Sequence, residues 1–286
     1  MNFKYPPRFL PLVSSIKSAP ISTASKDPIG WSALVLGKNG RPIGSGTACA
    51  RELATRIAVA ESIEWLEREA GFSIEERKTL RCDDYPTRCG FAAGFEREPT
   101  RMRANAEAVE RWLWSKWIDS GFFIQETGRP NFSALGAHYA GQFDQVLYFE
   151  KIVEHNMPGI PASLRLGAVL AIRDGGAFPG SRVCSLNEDP WEHAVIEAWR
   201  HYNIFKNLRD RPDIYPILSQ RLKYFGTNQA AAVTAVLQGR NKDWPTPEIE
   251  LAIELRHPRI DGYSLFRVIS KDYIPWHTGD YKRFIF

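Results

Sequence analysis

The 286-residue sequence has no uninterrupted apolar stretch of the roughly 18 residues that a membrane-spanning helix requires. It also lacks the continuous apolar region of a secretory signal peptide, because residues 1–12 include three prolines and only a short apolar patch. The sequence therefore predicts a cytoplasmic protein without membrane segments.

Motifs that hold metal ions through cysteine and histidine are also missing. The four cysteines include no CxxC pair, and the six histidines include no HExxH motif. Cys82 and Cys89 are close enough in sequence to form a disulfide, but scattered reduced thiols fit the spacing better. Cys89 adjoins a small-residue stretch, which would suit a nucleophile, although a buried free thiol is the commoner case. A zinc site is therefore not predicted.

An excess of charge of one sign is absent as well. The formal net charge is only +4, and 44% hydrophobic with 24% charged residues is typical of a globular protein. This mild charge does not indicate nucleic-acid binding, and it is compatible with an anionic ligand such as a nucleotide. Three of the nine tryptophans, Trp112, Trp114 and Trp117, share one segment, which predicts either dense packing or an exposed contact surface.

Helical and strand patterns alternate along the chain. Apolar periodicity and end signals predict four helices, over residues 51–68, 100–119, 187–207 and 228–237. Apolar or alternating runs predict four strands, over residues 31–36, 164–172, 248–255 and 263–270. Residues 139–158 are compatible with either structure. Because no linker is visible, we predict one α+β or α/β domain over residues 1–286, with an irregular N-terminal segment to residue 29.

A pair of glutamates recurs in two of the predicted helices. Residues 60–64 read Ala-Glu-Ser-Ile-Glu and residues 106–110 read Ala-Glu-Ala-Val-Glu, and the third helix contains a partial copy at Glu197. Each full pair places two carboxylates three residues apart, and residues at this spacing share one face of a helix. The four paired residues are Glu61, Glu64, Glu107 and Glu110.

Carboxylates on such faces favour a bound cation. On the first helix, Leu53, Ile57 and Ala60 form an apolar stripe that Glu61 and Glu64 continue. An unpaired charge at the edge of a buried face is costly, so it needs a proton, a donor or a cation. Magnesium prefers oxygen ligands and usually binds one or two carboxylates together with phosphates. The alternative is a structural domain whose glutamates only form surface ion pairs with arginine.

The segments around these glutamates follow one another in a recognisable order. The first helix follows Gly-Ser-Gly-Thr at 44–47 and contains Ala-Glu-Ser-Ile-Glu at 60–64. The second follows Thr-Arg-Cys-Gly-Phe-Ala-Ala-Gly at 87–94 and contains Glu-Ala-Val-Glu-Arg at 107–111, and the third contains Glu-Ala-Trp-Arg at 197–200. This ordered set resembles the YcaO family, in which Ser-Gly-rich stretches precede helices with AEAxER, ExxER and ExxQ motifs.

The resemblance implies an α+β, YcaO-like fold with mixed sheets and an enzyme that depends on ATP and Mg²⁺. Such enzymes activate a peptide backbone amide, giving azoline- or thioamide-type products in ribosomal peptide pathways. The implied magnesium ligands are Glu61, Glu64, Glu107, Glu110 and Glu197. The implied nucleotide contacts are these glutamates together with Ser45, Arg111 and Arg200. A peptide substrate and a separate substrate-presenting protein are the implied partners, and a homodimer is compatible with the sequence.

Several positions depart from the family pattern. Trp65 stands where the first helix has arginine, Cys89 where the second stretch has asparagine, and Arg200 where the third helix has glutamine. The Pro-rich tail of azoline-forming members is also missing from residues 281–286. A catalytically degenerate relative, which binds a peptide or partner protein through exposed aromatic residues, is therefore the alternative function.

Overall fold

A computed structural model describes residues 5, 9–23, 27–68, 72–82, 90–155, 161–208, 216–240, 242–255 and 260–284. Within these ranges the strands are β1 (Val13–Ser22), β2 (Pro28–Gly37), β3 (Pro42–Ala48), β4 (Phe91–Gly94), β5 (Gln125–Thr127), β6 (Gln145–Glu154), β7 (Ser163–Arg173), β8 (Gly176–Ser185), β9 (Ile249–Leu255) and β10 (Ser264–Ser270). The helices are α1 (Arg51–Arg68), α2 (Ile74–Thr79), α3 (Arg97–Ile118), α4 (Ala134–Ala140), α5 (Trp191–Lys206), α6 (Pro216–Phe225) and α7 (Gln229–Leu237). Antiparallel sheets and separate helices confirm the predicted α+β class.

The N-terminal segment is more regular than the sequence predicts. Residues 1–29 were expected to be irregular, but β1 occupies Val13–Ser22 and pairs with β2 along its length. The strand is at the edge of the sheet, in the order β1-β2-β3, and most of its side chains are at least partly exposed. An edge strand tolerates serine, lysine and Pro20, which hide the usual apolar alternation from the sequence.

Contacts within the chain define two compact units, and the predicted single domain stays a prediction. The first unit consists of residues 1–105 and 250–269, and its sheets have the orders β1-β2-β3 and β4-β10-β9. Helix α1 packs against β3, where glycine makes close contact possible. A Cβ atom on Gly44 would lie 2.6 Å from the backbone nitrogen of Ser62, and one on Gly46 would lie 2.8 Å from that of Ala58.

The apolar face of α1 differs from the predicted stripe. Leu53 is 47% exposed, whereas Ala54, Ala58, Val59 and Ile63 are fully buried. The stripe prediction was therefore wrong at Leu53. Alanine occupies positions 54 and 58 because the helix lies almost on the backbone of β3 there, beside Gly44 and Gly46.

The second unit consists of residues 106–249 and 270–286. Its four-stranded sheet has the order β5-β6-β7-β8, and helix α5 packs on β8 and β7. A two-residue turn joins β7 to β8, and both of its residues, Asp174 and Gly175, have the positive φ angles that tight hairpins require. This hairpin places β8 beside α5, as β3 lies beside α1 in the first unit.

Tryptophan builds the core of the second unit. Trp112, Trp114 and Trp117 are at most 6% exposed, and Trp114 stacks on Trp117 with ring centroids 4.9 Å apart. None of the nine tryptophans, all of which lie in the described ranges, is exposed. The structure therefore favours dense packing over an indole contact surface. Among the described helices, none has the length and apolar character needed to cross a bilayer.

Candidate functional site

In the first unit, Glu61 is held by the strand that lies beside its own helix. The backbone N–H of Ser45 donates to Oε2 of Glu61 at 3.1 Å, and the Ser45 hydroxyl donates to the same oxygen at 3.3 Å. Ser45 lies between the two glycines of β3 that allow α1 to approach. The Gly-Ser-Gly sequence thus brings Ser45 and Glu61 together, as two of the predicted nucleotide contacts.

Glu64, the second glutamate of the pair on α1, contacts a different strand, β4. Oε1 of Glu64 accepts from the backbone N–H of Ala93 at 2.8 Å and from Nη2 of Arg103 at 3.2 Å. Arg103 also donates to the carbonyl oxygen of Ala93. The Glu64 side chain is only 13% exposed, so Arg103 offsets much of the cost of its charge. Sequence reasoning missed Arg103, because only the fold brings α3 beside α1 at this point.

In the second unit, one serine holds carboxylates from two helices. The backbone N–H of Ser181 in β8 donates to Oε2 of Glu197 at 2.7 Å, and its hydroxyl donates to Oε1 of Glu110 at 2.8 Å. The backbone N–H of Val183 donates to Oε2 of Glu110 at 2.9 Å. Glu110 on α3 and Glu197 on α5 are therefore neighbours through Ser181, a residue that the sequence analysis did not single out.

The electrostatics of this pair favour an additional positive charge. Burial raises the pKa of Glu110, the neighbouring Glu197 raises it further, and Arg111 together with the two donated hydrogen bonds opposes the shift. Burial also raises the pKa of Glu197, which Arg111, the Ser181 N–H and Arg200 counteract while Glu107 adds to it. Two adjacent carboxylates that resist ionisation are stabilised as anions by a divalent cation.

A neutral histidine lies in the same region. Nδ1 of His201 is 2.7 Å from the carbonyl oxygen of Pro179, and because a carbonyl only accepts, Nδ1 is the protonated nitrogen. Burial lowers the pKa of His201 to about 4, and the positive charges of Arg111 and Arg200 lower it as well. The imidazole is therefore uncharged at neutral pH and adds no positive charge to the carboxylates.

The predicted site residues thus form one group in each unit. Ser45 and Glu61 are joined in the first unit, where Glu64 is bound to β4 and Arg103. In the second unit, the electrostatic neighbours are Glu107, Glu110, Arg111, Glu197 and Arg200. Cys89, with the first part of the second small-residue stretch, lies outside the described residues. Their assignment as ligands of ATP and magnesium stays a prediction.

The donor set fits magnesium bound together with a nucleotide better than a cage made by protein alone. Within the residues that the structure describes, no group of three or more histidine, cysteine, aspartate or glutamate side chains has the geometry to hold a metal ion. Magnesium, however, is usually held by one or two carboxylates, with phosphates and water completing its shell. Glu110 and Glu197 supply such a pair, and Arg111 supplies a cation for phosphate oxygens.

The segment from β2 to α1 in the first unit and the segment from β7 to α5 in the second repeat the same geometry. Ser45 and Glu61 are separated by 16 residues, and so are Ser181 and Glu197, and in both pairs the backbone N–H donates to Oε2. The preceding glycines also correspond, because a Cβ atom on Gly180 would lie 2.7 Å from the nitrogen of Ala198, as one on Gly44 nearly meets Ser62. Both segments contain a Gly-Ser dipeptide followed by Ala-Val-x-Glu, at residues 58–61 in the first and 194–197 in the second. This likeness in the sequence could have identified Ser181.

Comparisons with known proteins find similarity in fold rather than in sequence. No family model matches the sequence, and neither does any curated protein sequence. Among solved structures, the E. coli microcin synthetase McbBCD complex with pro-MccB17 bound matches with a TM-score of 0.59 and 10% identity, over 93% of this chain and 90% of that one.

Two further solved structures match over most of this chain. YcaO from Methanopyrus kandleri, bound with AMPPCP and Mg²⁺, has a TM-score of 0.55 and 14% identity, over 90% of this chain and 84% of its own. A heterocyclase in complex with substrate and cofactor has a TM-score of 0.57 and 12% identity, over 93% of this chain and 50% of its own. The chain therefore has the YcaO fold, which confirms the fold that its ordered sequence motifs predict.

Proposed function

We propose that this protein is an ATP- and magnesium-dependent enzyme of YcaO type that modifies a peptide backbone amide. The observation that supports this most is the pair of carboxylates, Glu110 and Glu197, that share Ser181 and lie near Arg111. The M. kandleri neighbour is bound to AMPPCP and Mg²⁺, and the McbBCD complex to the peptide pro-MccB17. A nucleotide, a magnesium ion and a peptide are therefore the ligands we propose here.

The proposed ligand roles follow from charge and donor type. Glu61, Glu64, Glu107, Glu110 and Glu197 would bind magnesium or support its ligands. Arg111 and Arg200 would neutralise phosphate oxygens, and Ser45 would contribute a hydroxyl. Bound ATP would supply the phosphoryl group that turns the amide oxygen into a leaving group. The chain's own contribution is to position charges around that group, which is the main source of catalysis in phosphoryl transfer.

The chemical outcome depends on the nucleophile that adds to the amide carbon. A cysteine, serine or threonine side chain of the substrate would give an azoline, and a sulfide source would give a thioamide. We propose a substrate from a ribosomal peptide pathway, presented by a separate partner protein. The homodimer stays a prediction.

Isothermal titration with ATP, with and without Mg²⁺, tests the proposal. We expect magnesium-dependent binding by the wild type and a loss of at least about tenfold in affinity in Glu110→Gln and Glu197→Gln, which keep shape but remove charge. Glu61→Gln, Glu64→Gln and Glu107→Gln test the three remaining predicted ligands. Glu126→Gln, on an exposed position of β5, is the matched control and should bind as the wild type does. Absence of magnesium-dependent ATP binding in the wild type would contradict the proposal.

One observation favours the catalytically degenerate alternative. Arg111 and Arg200 both lower the pKa of Glu197, so positive charge is already supplied to this carboxylate without a metal ion. ATP hydrolysis that increases when a candidate peptide is added would identify an enzyme. Peptide binding without any such increase would identify the degenerate relative.

A further inference from the structure

A neighbouring indole determines the direction in which the Ser181 hydroxyl donates its hydrogen bond. Nε1 of Trp114 lies 2.8 Å from Oγ of Ser181. An indole N–H can only donate, so Ser181 Oγ accepts this bond and its own proton must point elsewhere. The acceptor on that side is Oε1 of Glu110, at 2.8 Å. Trp114, Ser181 and Glu110 thus form a chain of hydrogen bonds with a defined direction.

Ser45, the equivalent serine in the first unit, donates in a different pattern. Both donors of Ser45, its N–H and its hydroxyl, reach the same oxygen of Glu61. In the second unit the two donors of Ser181 reach different carboxylates: its N–H donates to Glu197 and its hydroxyl donates to Glu110. The serine therefore joins two carboxylates from different helices instead of binding one.

Trp114 is itself firmly placed. It is 6% exposed, stacks on Trp117 at 4.9 Å and meets Phe284 edge-on with ring centroids 6.3 Å apart. Trp117 is fixed in turn by its own indole N–H, which donates to the carbonyl oxygen of Val236 at 3.0 Å. Trp114 therefore has a defined place in a packed aromatic core. The indole of Trp117 donates to Val236 rather than to Ser181 or Glu110.

We infer that Trp114 and Ser181 are positioning residues, which orient Glu110 and Glu197 so that both can bind one divalent cation. The inference rests on the proposed function, because it concerns residues that hold the proposed magnesium ligands through hydrogen bonds. The two bonds that Ser181 donates occupy one lone pair on each of Glu110 Oε1 and Glu197 Oε2 and restrict the orientation of both carboxylates. Partners that orient metal ligands in this way typically change affinity by about 10- to 100-fold when removed.

The test compares two Trp→Phe variants, each of which loses an indole N–H donor. Trp114→Phe removes the donor to Ser181, and Trp117→Phe removes an indole donor from the same core without touching the carboxylates. We expect Trp114→Phe to raise the Mg²⁺ concentration for half-maximal ATP binding about tenfold or more, and Trp117→Phe to change it less than about twofold. Similar losses of thermal stability in the two variants show that the difference does not come from the core.

The hydroxyl is tested by a second pair of variants. Ser181→Ala should weaken binding as Trp114→Phe does, and Ser181→Thr, which keeps the hydroxyl, should recover most of the affinity. Equal effects of Ser181→Ala and Ser181→Thr would overturn the role of the hydroxyl. Equal effects of the two tryptophan variants would overturn the role of Trp114.

Binding of Mn²⁺, followed by electron paramagnetic resonance without nucleotide, separates the two proposals. If the wild type binds Mn²⁺ but no ATP, and Trp114→Phe weakens the ion, the positioning inference stands and the proposed function fails. If the wild type binds ATP with magnesium and the two tryptophan variants behave alike, the proposed function stands and the inference fails. A wild type that binds neither ion nor nucleotide overturns both.

Discussion

Gly180 lies against Ala194 so closely that a Cβ atom at residue 180 would overlap the Ala194 carbonyl oxygen. The same atom would lie 2.7 Å from the nitrogen of Ala198, so both obstacles belong to the backbone of α5 and cannot rotate away. We therefore expect Gly180→Ala to lower the free energy of unfolding by about 3 kcal/mol, at the upper end for overpacking. Urea denaturation measures this change.

A second glycine provides the matched control for that substitution. A Cβ atom on Gly128 would have no heavy atom within 4 Å, and the residue has no positive φ angle. Gly128→Ala should therefore change the free energy of unfolding by less than about 0.5 kcal/mol. Equal effects of the two substitutions would show that β8 and α5 are not in close contact.

The helices with paired glutamates were predictable from the sequence, whereas the strands beside them were not. Helix α1 runs over the predicted residues, 51–68, because this segment is rich in strong helix formers and contains neither glycine nor proline. Strands β3 and β8 are rich in glycine and serine, which have low strand propensity. Both pair along their length with a neighbouring strand, and their glycines permit a helix to lie on them, contacts that are visible only in the folded chain.

The candidate site, too, could be predicted only in part from the sequence. Glutamates at equal spacing could be recognised as a repeated feature, but their partners are distant in the sequence. Trp114 and Ser181 are 67 residues apart, and Glu110 and Val183 are 73 apart. The repeated segment could have pointed to Ser181 itself, but its contact with Trp114 and that of Glu110 with Val183 depend on the topology of the sheet rather than on any local pattern.

A buried carboxyl on α1 predicts that stability depends on pH. Glu67 is 1% exposed, and burial, with a smaller contribution from Glu76, raises its pKa from 4.5 to about 7. Between these values the folded chain keeps a proton that the unfolded chain releases, so stability falls as the pH rises from 4.5 to 7. Glu67→Gln should therefore be more stable than the wild type at pH 8, by on the order of 2–3 kcal/mol.

The pH dependence of that difference distinguishes its cause. The two proteins should have nearly equal stability at pH 4.5, where the wild-type carboxyl is protonated in the folded state. Urea denaturation at several pH values gives the comparison, and Glu52→Gln, at an exposed position of the same helix, should show no such trend. A constant gain across the whole pH range would mean that burial of the charge is not responsible.

The described cysteines should differ sharply in reactivity. Cys49 is exposed, whereas Cys82 and Cys184 are buried, and burial raises the pKa of Cys184 to about 11. A thiol reacts as its thiolate, so a buried thiol with a high pKa reacts slowly. In a Cys89→Ser background, a chromogenic disulfide reagent should modify one thiol in the native protein and the other two only after unfolding. Rapid modification of more than one native thiol would contradict this assignment.

One buried arginine joins the C-terminal part of the second unit to α6. Arg221 on α6 is fully buried, and its guanidinium donates to the carbonyl oxygens of Trp276, Thr278 and Asp280. Burial lowers the pKa of Arg221 to about 10, so the group remains charged at neutral pH. Arg283 donates to the same three carbonyl oxygens, so each of them keeps one donor when Arg221 is replaced. Arg221→Met still removes three hydrogen bonds from a charged donor, at about 1.5–3 kcal/mol each, and should lower the free energy of unfolding by about 3 kcal/mol or more.

Local exchange measurements show whether that loss arises from the C-terminal segment. In Arg221→Met, the amide hydrogens of residues 276–280 should exchange with solvent faster than in the wild type, since the three carbonyls no longer hold the segment on α6. Lys223→Met is the matched control, because Lys223 is exposed two residues further along the same helix and binds none of these carbonyls. It should leave both the exchange rates and the free energy of unfolding nearly unchanged. A uniform increase in exchange over the second unit would instead mean that Arg221 stabilises the whole unit rather than this segment.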